Sequence, residues 1–309
     1  MLGQVCVTPP SGLVAWYKGE GNTNDSSGNG FNGDIGSASF IAGHVGQTFT
    51  FSAQSFSAVV PNNPAMFPPS ALTVEAWIRP LDYAGCSNIY RIFHTVQEHV
   101  SGYVTFVNCA NGKLHGQVIS STSVVDQVIS NASIPIDVYT HIAFTWDGTN
   151  LRLYINGVLD NTVPSTIATI GTNADPLRIS NAIALGFRGQ IDEPSLYNRA
   201  LSSTEVASIF NAGTAGKCLA PSAAFVSISG RAMNSKGRPI GKVRVTLVDQ
   251  GGNIRTALTN PFGQYQFEGI ATGGTVMLTA VAKGQEFIDP TRVITVQESV
   301  ANVDFITVD

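Results

Sequence analysis

His141-Ile142-Ala143-Phe144-Thr145-Trp146 runs directly into Asp147-Gly148, and Leu151-Arg152-Leu153-Tyr154-Ile155 runs into Asn156-Gly157. Both turn dipeptides favour the positive φ values of tight hairpins, which Gly and Asn tolerate best. Three consecutive strands joined this way form an antiparallel meander. The same period of two extends outward. Leu13-Val14-Ala15-Trp16-Tyr17 reads as a first strand. Leu72-Thr73-Val74-Glu75-Ala76-Trp77-Ile78 places Leu72, Val74, Ala76 and Ile78 on one face and Glu75 and Trp77 on the other. One segment reads as a helix: Ser202 and Glu205 fit a capping box, Val206, Ile209 and Phe210 share a face, and Gly213 ends it.

Residues 212–222 are small and punctuated by Pro221, a linker composition. Beyond it strands resume at 225–232, 243–248, 264–267, 276–281 and 303–306, separated by turn signals at Lys236-Gly237-Arg238-Pro239, Gly251-Gly252-Asn253 and Asn260-Pro261-Phe262-Gly263. That rhythm, about seven strands in the tail of the chain, is that of a small β-sandwich. The expected organisation is two all-β domains, 1–218 and 224–309, with a linker at 219–223. The 309 residues agree with about 150 per domain.

Composition narrows the partners. Hydrophobic residues are 43%, enough for a buried core, while charged residues are 12%, about half of ordinary usage. Seventeen basic against twenty-one acidic residues give a net charge of −4, which argues against nucleic acid or an anionic membrane as partner. No apolar run reaches the length of a membrane-spanning helix. Cys6, Cys86, Cys109 and Cys218 stand singly, with no Cys-x-x-Cys pair, so zinc is not expected. Cys6 and Cys218 bracket one block and Cys86 and Cys109 flank one hairpin. The pairing Cys6–Cys218 with Cys86–Cys109 is therefore favoured over four free thiols, and with it an oxidising compartment. The N-terminus lacks the pattern of a signal peptide, so an exported chain would be a mature or trimmed form.

Several stretches then resemble a known family in its order: residues 12–22, 24–30 and 43–47, then Leu72–Ile78, Leu151–Gly157, and the closing run Gly189-Gln190-Ile191-Asp192-Glu193-Pro194-Ser195-Leu196-Tyr197-Asn198-Arg199-Ala200-Leu201-Ser202. Together they resemble the laminin-G-like, concanavalin A-like jelly roll of secreted bacterial proteins. The remainder, through Ile228-Ser229-Gly230-Arg231, Val243–Leu247 and Thr259–Phe267, is similar to a carboxypeptidase regulatory-like domain, an Ig/transthyretin-like β-sandwich of the kind that serves as a spacer. The resemblance implies one structural Ca²⁺ where the first and last strands meet, held by Glu20, Asp192 and backbone oxygens around Gly46. Asp25 is a further candidate ligand, with an Asx-turn cap as its alternative role.

Catalysis is not expected. Jelly-roll glycosidases carry Glu-x-Asp-x-x-Glu on one strand, which does not occur here, and adjacent Asp192 and Glu193 should point to opposite faces. No Gly-x-Ser-x-Gly elbow occurs, and His44, His94, His99, His115 and His141 lie in no recognisable motif. Trp16, Trp77 and Trp146 read as core, and Tyr197 and Arg199 as packing for the helix. The loop preceding the second hairpin offers Tyr83, Asn88, Tyr90 and Arg91 as a sugar-reading set. The expectation is a non-catalytic, extracellular or cell-surface binding or adhesion protein whose partner is a glycan or cell-surface protein. The alternative is a structural subunit that binds copies of itself in a fibre.

Overall fold

The structure, a computed structural model, describes residues 5–52, 57–83, 86, 88–95, 101–181, 185–218, 226–249, 252–270, 274–296 and 298–308. The chain divides into two compact units, Met1–Ala220 and Pro221–Asp309. The expected linker at 219–223 lies outside the described residues, as does His99. The first unit contains β1 (Leu13–Trp16), β2 (Ser39–Ala42), β3 (Gln47–Phe51), β4 (Ser57–Val60), β5 (Leu72–Pro80), β6 (Ile89–His94) and β7 (Gly102–Asn108). It continues with β8 (Lys113–Ile119), β9 (Val125–Ser133), β10 (Thr140–Trp146), β11 (Asn150–Ile155), β12 (Val158–Pro164), β13 (Leu177–Ser180), β14 (Gly189–Tyr197) and α1 (Ser203–Asn211).

These strands form two sheets. One has the order β12-β11-β10-β5-β14-β3-β2, with β1 also paired to β14, and the other β4-β13-β6-β7-β8-β9. The β10–β11–β12 meander forms as its turns require: Gly148 has φ +83°, and Asn156 and Gly157 have φ of 50° and 76°. Asp147 Oδ1 fastens the first turn by accepting from the Thr149 and Asn150 amides at 2.9 and 2.7 Å.

Between the sheets, Val74, Ala76 and Ile78 of β5 and Ile142, Phe144 and Trp146 of β10 pack with Tyr103, Val107, Leu114 and Val118 of the smaller sheet. Each such fully buried large side chain contributes about 1.5–3 kcal/mol. The sheets approach most closely at Gly116, where a Cβ would run into the Phe144 ring.

The opposite face of the larger sheet is covered as well. Ala143, Tyr154 and Tyr197 are buried beneath Leu201, Val206 and Ile209. The helix starts at the expected capping box of Ser202 and Glu205, and Arg199 holds Glu205 through both terminal guanidinium nitrogens. Beside it, a disulfide joins Cys6 to Cys218, with Val7 and Lys217 bridged in parallel. This clasp brings Lys217 over the sheet. Its Nζ lies 2.9 Å from Glu75 Oε1 and 3.3 Å from Glu193 Oε2, with all three side chains 1% exposed. The Trp16 indole N–H donates to Glu193 Oε2 at 2.9 Å, and His141 Nε2 lies 3.3 Å from Glu75 Oε2. Glu75, placed by alternation away from the main core, is thus buried in a second, polar interior.

The second unit contains β15 (Val226–Met233), β16 (Arg244–Val248), β17 (Ile254–Leu258), β18 (Gln264–Ile270), β19 (Thr275–Val281), β20 (Thr291–Thr295) and β21 (Phe305–Ile306). They form sheets β18-β15-β21 and β17-β16-β19-β20 around Ile228, Val245, Leu247, Phe267, Leu278 and Phe305. The C-terminal strand completes its own sheet: Phe305 is fully buried and pairs in parallel with Ala232.

The contact at Gly116 gives a direct test. Gly116→Ala should destabilise the first unit by about 1–3 kcal/mol through overpacking against Phe144. Shortening that ring with Phe144→Leu in the double variant should recover part of the loss in urea-unfolding measurements.

Candidate functional site

Two places concentrate polar groups that the packing does not require. The first is the turn joining β2 to β3. Asp192 lies on β14, where a bulge shifts the register between Asp192 and Ser195 and Glu193 takes φ 58°. The irregularity sends the two acidic neighbours to separate sites: Glu193 goes to Lys217, and Asp192 goes to the turn. Asp192 Oδ2 accepts from the His44 and Val45 amides at 2.8 and 2.9 Å, while its buried Oδ1 has no hydrogen-bond partner. Burial, with the Glu193 charge, pushes the Asp192 carboxyl up to about 8.

Glu20 reaches the same turn from the other side, its Oε2 accepting from the Gln47 amide at 3.2 Å. Glycine is required here twice. At Gly43 a Cβ would stand 2.6 Å from Asp192 Oδ2, and at Gly46 (φ +57°) it would collide with the Glu20 carboxylate. The Gly46 carbonyl closes the turn by accepting from the Gly43 amide at 2.9 Å. The structure thus brings Glu20, Gly46 and Asp192 onto one turn.

Asp25 is occupied with its own loop. Oδ1 accepts from the Trp16 and Ser27 amides, and Oδ2 from Ser27 Oγ and the Phe31 amide. Among the described residues no cluster of three or more His, Cys, Asp or Glu side chains could hold a metal alone. A cation at the turn would need backbone oxygens beside the two carboxylates, a mixture that suits calcium. The orphaned Asp192 Oδ1, buried without a hydrogen-bond partner, fits such an ion.

The second place is the face of the six-stranded sheet turned away from the inter-sheet core. Strand register puts two rows of side chains there. One runs Arg178, His94, Val104, Gln117, Gln127; the other runs Arg91, Phe106, His115, Ile129. Neither row contains an acidic residue. Phe106 stacks on His115 with ring centroids 4.6 Å apart. His115 is only 8% exposed, yet neither ring nitrogen makes a well-formed hydrogen bond, and burial lowers its proton affinity. Gln117 donates to Gln127 Oε1, which leaves Gln117 Oε1 unpartnered.

The loop residues expected to read a sugar divide between environments. Tyr90 is fully buried in the inter-sheet core, and Tyr83 packs beside it with its hydroxyl donating to the Ile134 carbonyl at 2.9 Å. Asn88 is exposed. Arg91 follows Tyr90 on β6 and so faces the other way, into the second row. The four do not share a surface, because alternation along β6 separates Tyr90 from Arg91. The disulfide Cys86–Cys109 ties this corner to the end of β7. Phe106, Gln117, Gln127 and Arg178 were not singled out from the sequence, where His115 stood only among the histidines in no recognisable motif. The alternation of Lys113-Leu114-His115-Gly116-Gln117-Val118 carried the signal for the central strand.

Residues 52–207 match the concanavalin A-like lectin/glucanases superfamily, and the chain belongs to that family. Residues 227–307 match the carboxypeptidase regulatory-like domain. No curated protein matches the chain. Among solved structures, the binding domain of Paraclostridial Mosquitocidal Protein 1 superposes with a TM-score of 0.55 at 16% identity, covering 87% of this chain and 75% of that one. The binding domain of botulinum neurotoxin serotype G gives 0.54 at 17%, covering 92% and 70%. Domain 4 of AbnA, a GH43 extracellular arabinanase from Geobacillus stearothermophilus in complex with arabinotriose, gives 0.50 at 21%, covering 63% and 96%. At these identities the likeness establishes the all-β fold.

The raised Asp192 carboxyl has a definite consequence for stability. Its folded form keeps a proton that the unfolded chain, near 3.8, has lost, so the folded state binds more protons between about pH 4 and 8. In chelator, this contribution to stability is greatest below pH 4 and is lost as pH rises toward 8. Asp192→Asn should remove that loss, so its melting temperature should fall less than the wild type's between pH 5 and pH 8.

Proposed function

We propose that this chain is a secreted, non-catalytic glycan-binding module. Its jelly roll reads a saccharide on the outer face of the six-stranded sheet, and its second unit acts as a spacer. The observation that carries the reading is His115: a nearly buried imidazole stacked on Phe106, its two ring nitrogens buried without a well-formed hydrogen bond, on a face whose two rows supply guanidinium and amide groups. Saccharide hydroxyls are paired donors and acceptors, and amides and a neutral imidazole match them, while an aromatic face receives the apolar side of a pyranose or furanose ring. Membership of a lectin-like family and the likeness to the binding domains of two toxic proteins and to an arabinotriose-bound domain support this reading. Two disulfides support an extracellular setting.

A structural calcium belongs to the same proposal. Asp192 and Glu20 would hold it against the β2–β3 turn, where it would give the unpartnered Asp192 Oδ1 a ligand. It would stabilise the fold rather than touch the saccharide.

A glycan array followed by calorimetry on the best binder tests both parts. Arg178→Ala and His115→Ala should each weaken binding by about tenfold or more, roughly 1.4 kcal/mol, without lowering the melting temperature by more than a few degrees. Calcium should raise the melting temperature of the wild type and leave that of Asp192→Asn unmoved. Absence of any saccharide ligand with calcium present would sink the glycan reading.

Assembly into a fibre is a second reading, favoured by the outer face of the second unit's four-stranded sheet. There Ile254, Leu258, Val281 and Val293 are each more than 60% exposed. Light scattering at two concentrations, with electron microscopy, separates the readings: filaments that Val293→Lys abolishes support assembly, and particles of one chain's mass dismiss it.

A further inference from the structure

We propose that the second unit carries a ligand site of its own, a cleft across the outer face of sheet β18-β15-β21 that takes an uncharged oligosaccharide. This goes beyond the spacer role given to that unit and does not rest on the reading of the jelly roll.

The cleft follows from strand alternation. Ile228, Ala232, Tyr265 and Phe267 enter the core of the unit, so Ser229, Arg231, Gln264 and Gln266 project from the other side of the sheet. Antiparallel pairing sets Gln264 opposite Arg231 and Gln266 opposite Ser229. Asp304 extends the first of these rows, its Oδ1 accepting from the Arg231 amide at 2.8 Å. The two rows line a hollow of about 500 Å³. A second hollow, of about 410 Å³, shares Arg231 and Gln264 with the first and is completed by Met233, Pro239 and Phe262. Together they make one cleft, rich in carboxamides at one end and apolar at the other.

The side chain that packing leaves unexplained is Phe262, which is 70% exposed. Its turn is nevertheless fastened. Asn260 Oδ1 accepts from the Phe262 and Gln264 amides at 2.9 and 3.0 Å. The Asn260 amide donates to the Gln264 carbonyl, and the Gly263 amide to the Asn260 carbonyl, both at 2.9 Å. At Gly263 (φ +73°) a Cβ would collide with the Ala232 carbonyl oxygen, so glycine is required for the turn to close against β15. A fixed turn therefore holds an aromatic ring in water at the apolar end of the cleft. A ligand that covers the ring gains its burial without having to order the turn.

The chemistry of the lining selects the ligand. The carboxamides of Asn260, Gln264 and Gln266 offer paired donors and acceptors, which match vicinal hydroxyl groups. Phe262 and Pro239 offer an apolar surface for the C–H face of a sugar ring. Arg231 and Asp304 contribute one charge of each sign, so net charge does not favour an ionic ligand. A polypeptide strand is matched less well. Main-chain N–H and C=O groups lie in the plane of a sheet, so strand addition takes place at an edge, whereas this cleft crosses β18 and β15 and presents side chains.

The test is titration of the full chain with the neutral trisaccharides maltotriose, cellotriose, xylotriose and arabinotriose, followed by NMR of the side-chain amides of Asn260, Gln264 and Gln266. At least one of them should shift these signals saturably. Phe262→Ala and Arg231→Ala should each weaken that binding by about tenfold or more. Both side chains are exposed, so neither variant should lower the melting temperature. His115→Ala should leave the shifts intact, which keeps a failure of this site distinct from a failure of the jelly-roll face. Signals that none of the saccharides moves overturn the proposal. Shifts lost in His115→Ala, or kept at full affinity in both Phe262→Ala and Arg231→Ala, overturn the cleft as the site. Signals moved by a casein peptide digest and by none of the saccharides overturn the class of ligand.

Discussion

The first unit depends on the ion cluster that seals the outer face of its larger sheet. Burying Lys217, Glu75 and Glu193 together is costly unless each charge finds a partner, and the geometry supplies one for each. Lys217 sits between both carboxylates, Trp16 supports Glu193, and His141 supports Glu75. Removal of Lys217 leaves two buried carboxylates without their cation, so the cluster penalises every arrangement in which segment 216–218 is not in place. The Cys6–Cys218 disulfide acts in the same direction by limiting how far that segment can stray in the unfolded chain.

The bulge in β14 is what allows this interior to coexist with the β2–β3 turn. In a regular strand Asp192 and Glu193 would project to opposite faces, one of them into the inter-sheet core, where an unpaired carboxylate could not remain. The register shift and the left-handed backbone of Glu193 instead give each carboxylate its own polar surroundings. Asp192 receives two backbone amides, and Glu193 receives an indole and an ammonium. One irregular residue therefore serves both the closure of the sheet and the candidate cation site. The turn matches it with Gly43 and Gly46, at which a side chain would occupy the space the two carboxylates need.

What the sequence made legible follows from how local each signal is. The β10–β11–β12 meander could be read because Asp147-Gly148 and Asn156-Gly157 determine their turns within two residues. The helix could be read because Ser202 and Glu205 cap it three residues apart. Strands β17 and β20 gave weaker signals: they flank their sheet, and Ile254, Leu258 and Val293 face outward, so apolar alternation there does not mark burial. Lys217 lay in a stretch of small residues with a linker's composition. Its role depends on Glu75 and Glu193, 142 and 24 residues away, and no local pattern carries that. Tyr90, read from its loop as a sugar contact, is buried for a related reason, since the pairing of β6 to β7 decides which side of the strand is the core.

The outer face of the six-stranded sheet is subject to the same constraint in reverse. A sheet packed on both sides can be lined with apolar residues throughout, as β5 and β10 nearly are. The six-stranded sheet instead carries Arg91, His94, His115, Gln117 and Gln127 on side chains with little exposure. Buried polar atoms without partners cost about 1–3 kcal/mol each, so leaving His115 and Gln117 incompletely satisfied makes the free module less stable than an apolar face would. A ligand that satisfies those atoms recovers the deficit on binding. Packing offers no reason to place them there; the proposed recognition of a partner rich in hydroxyl groups would.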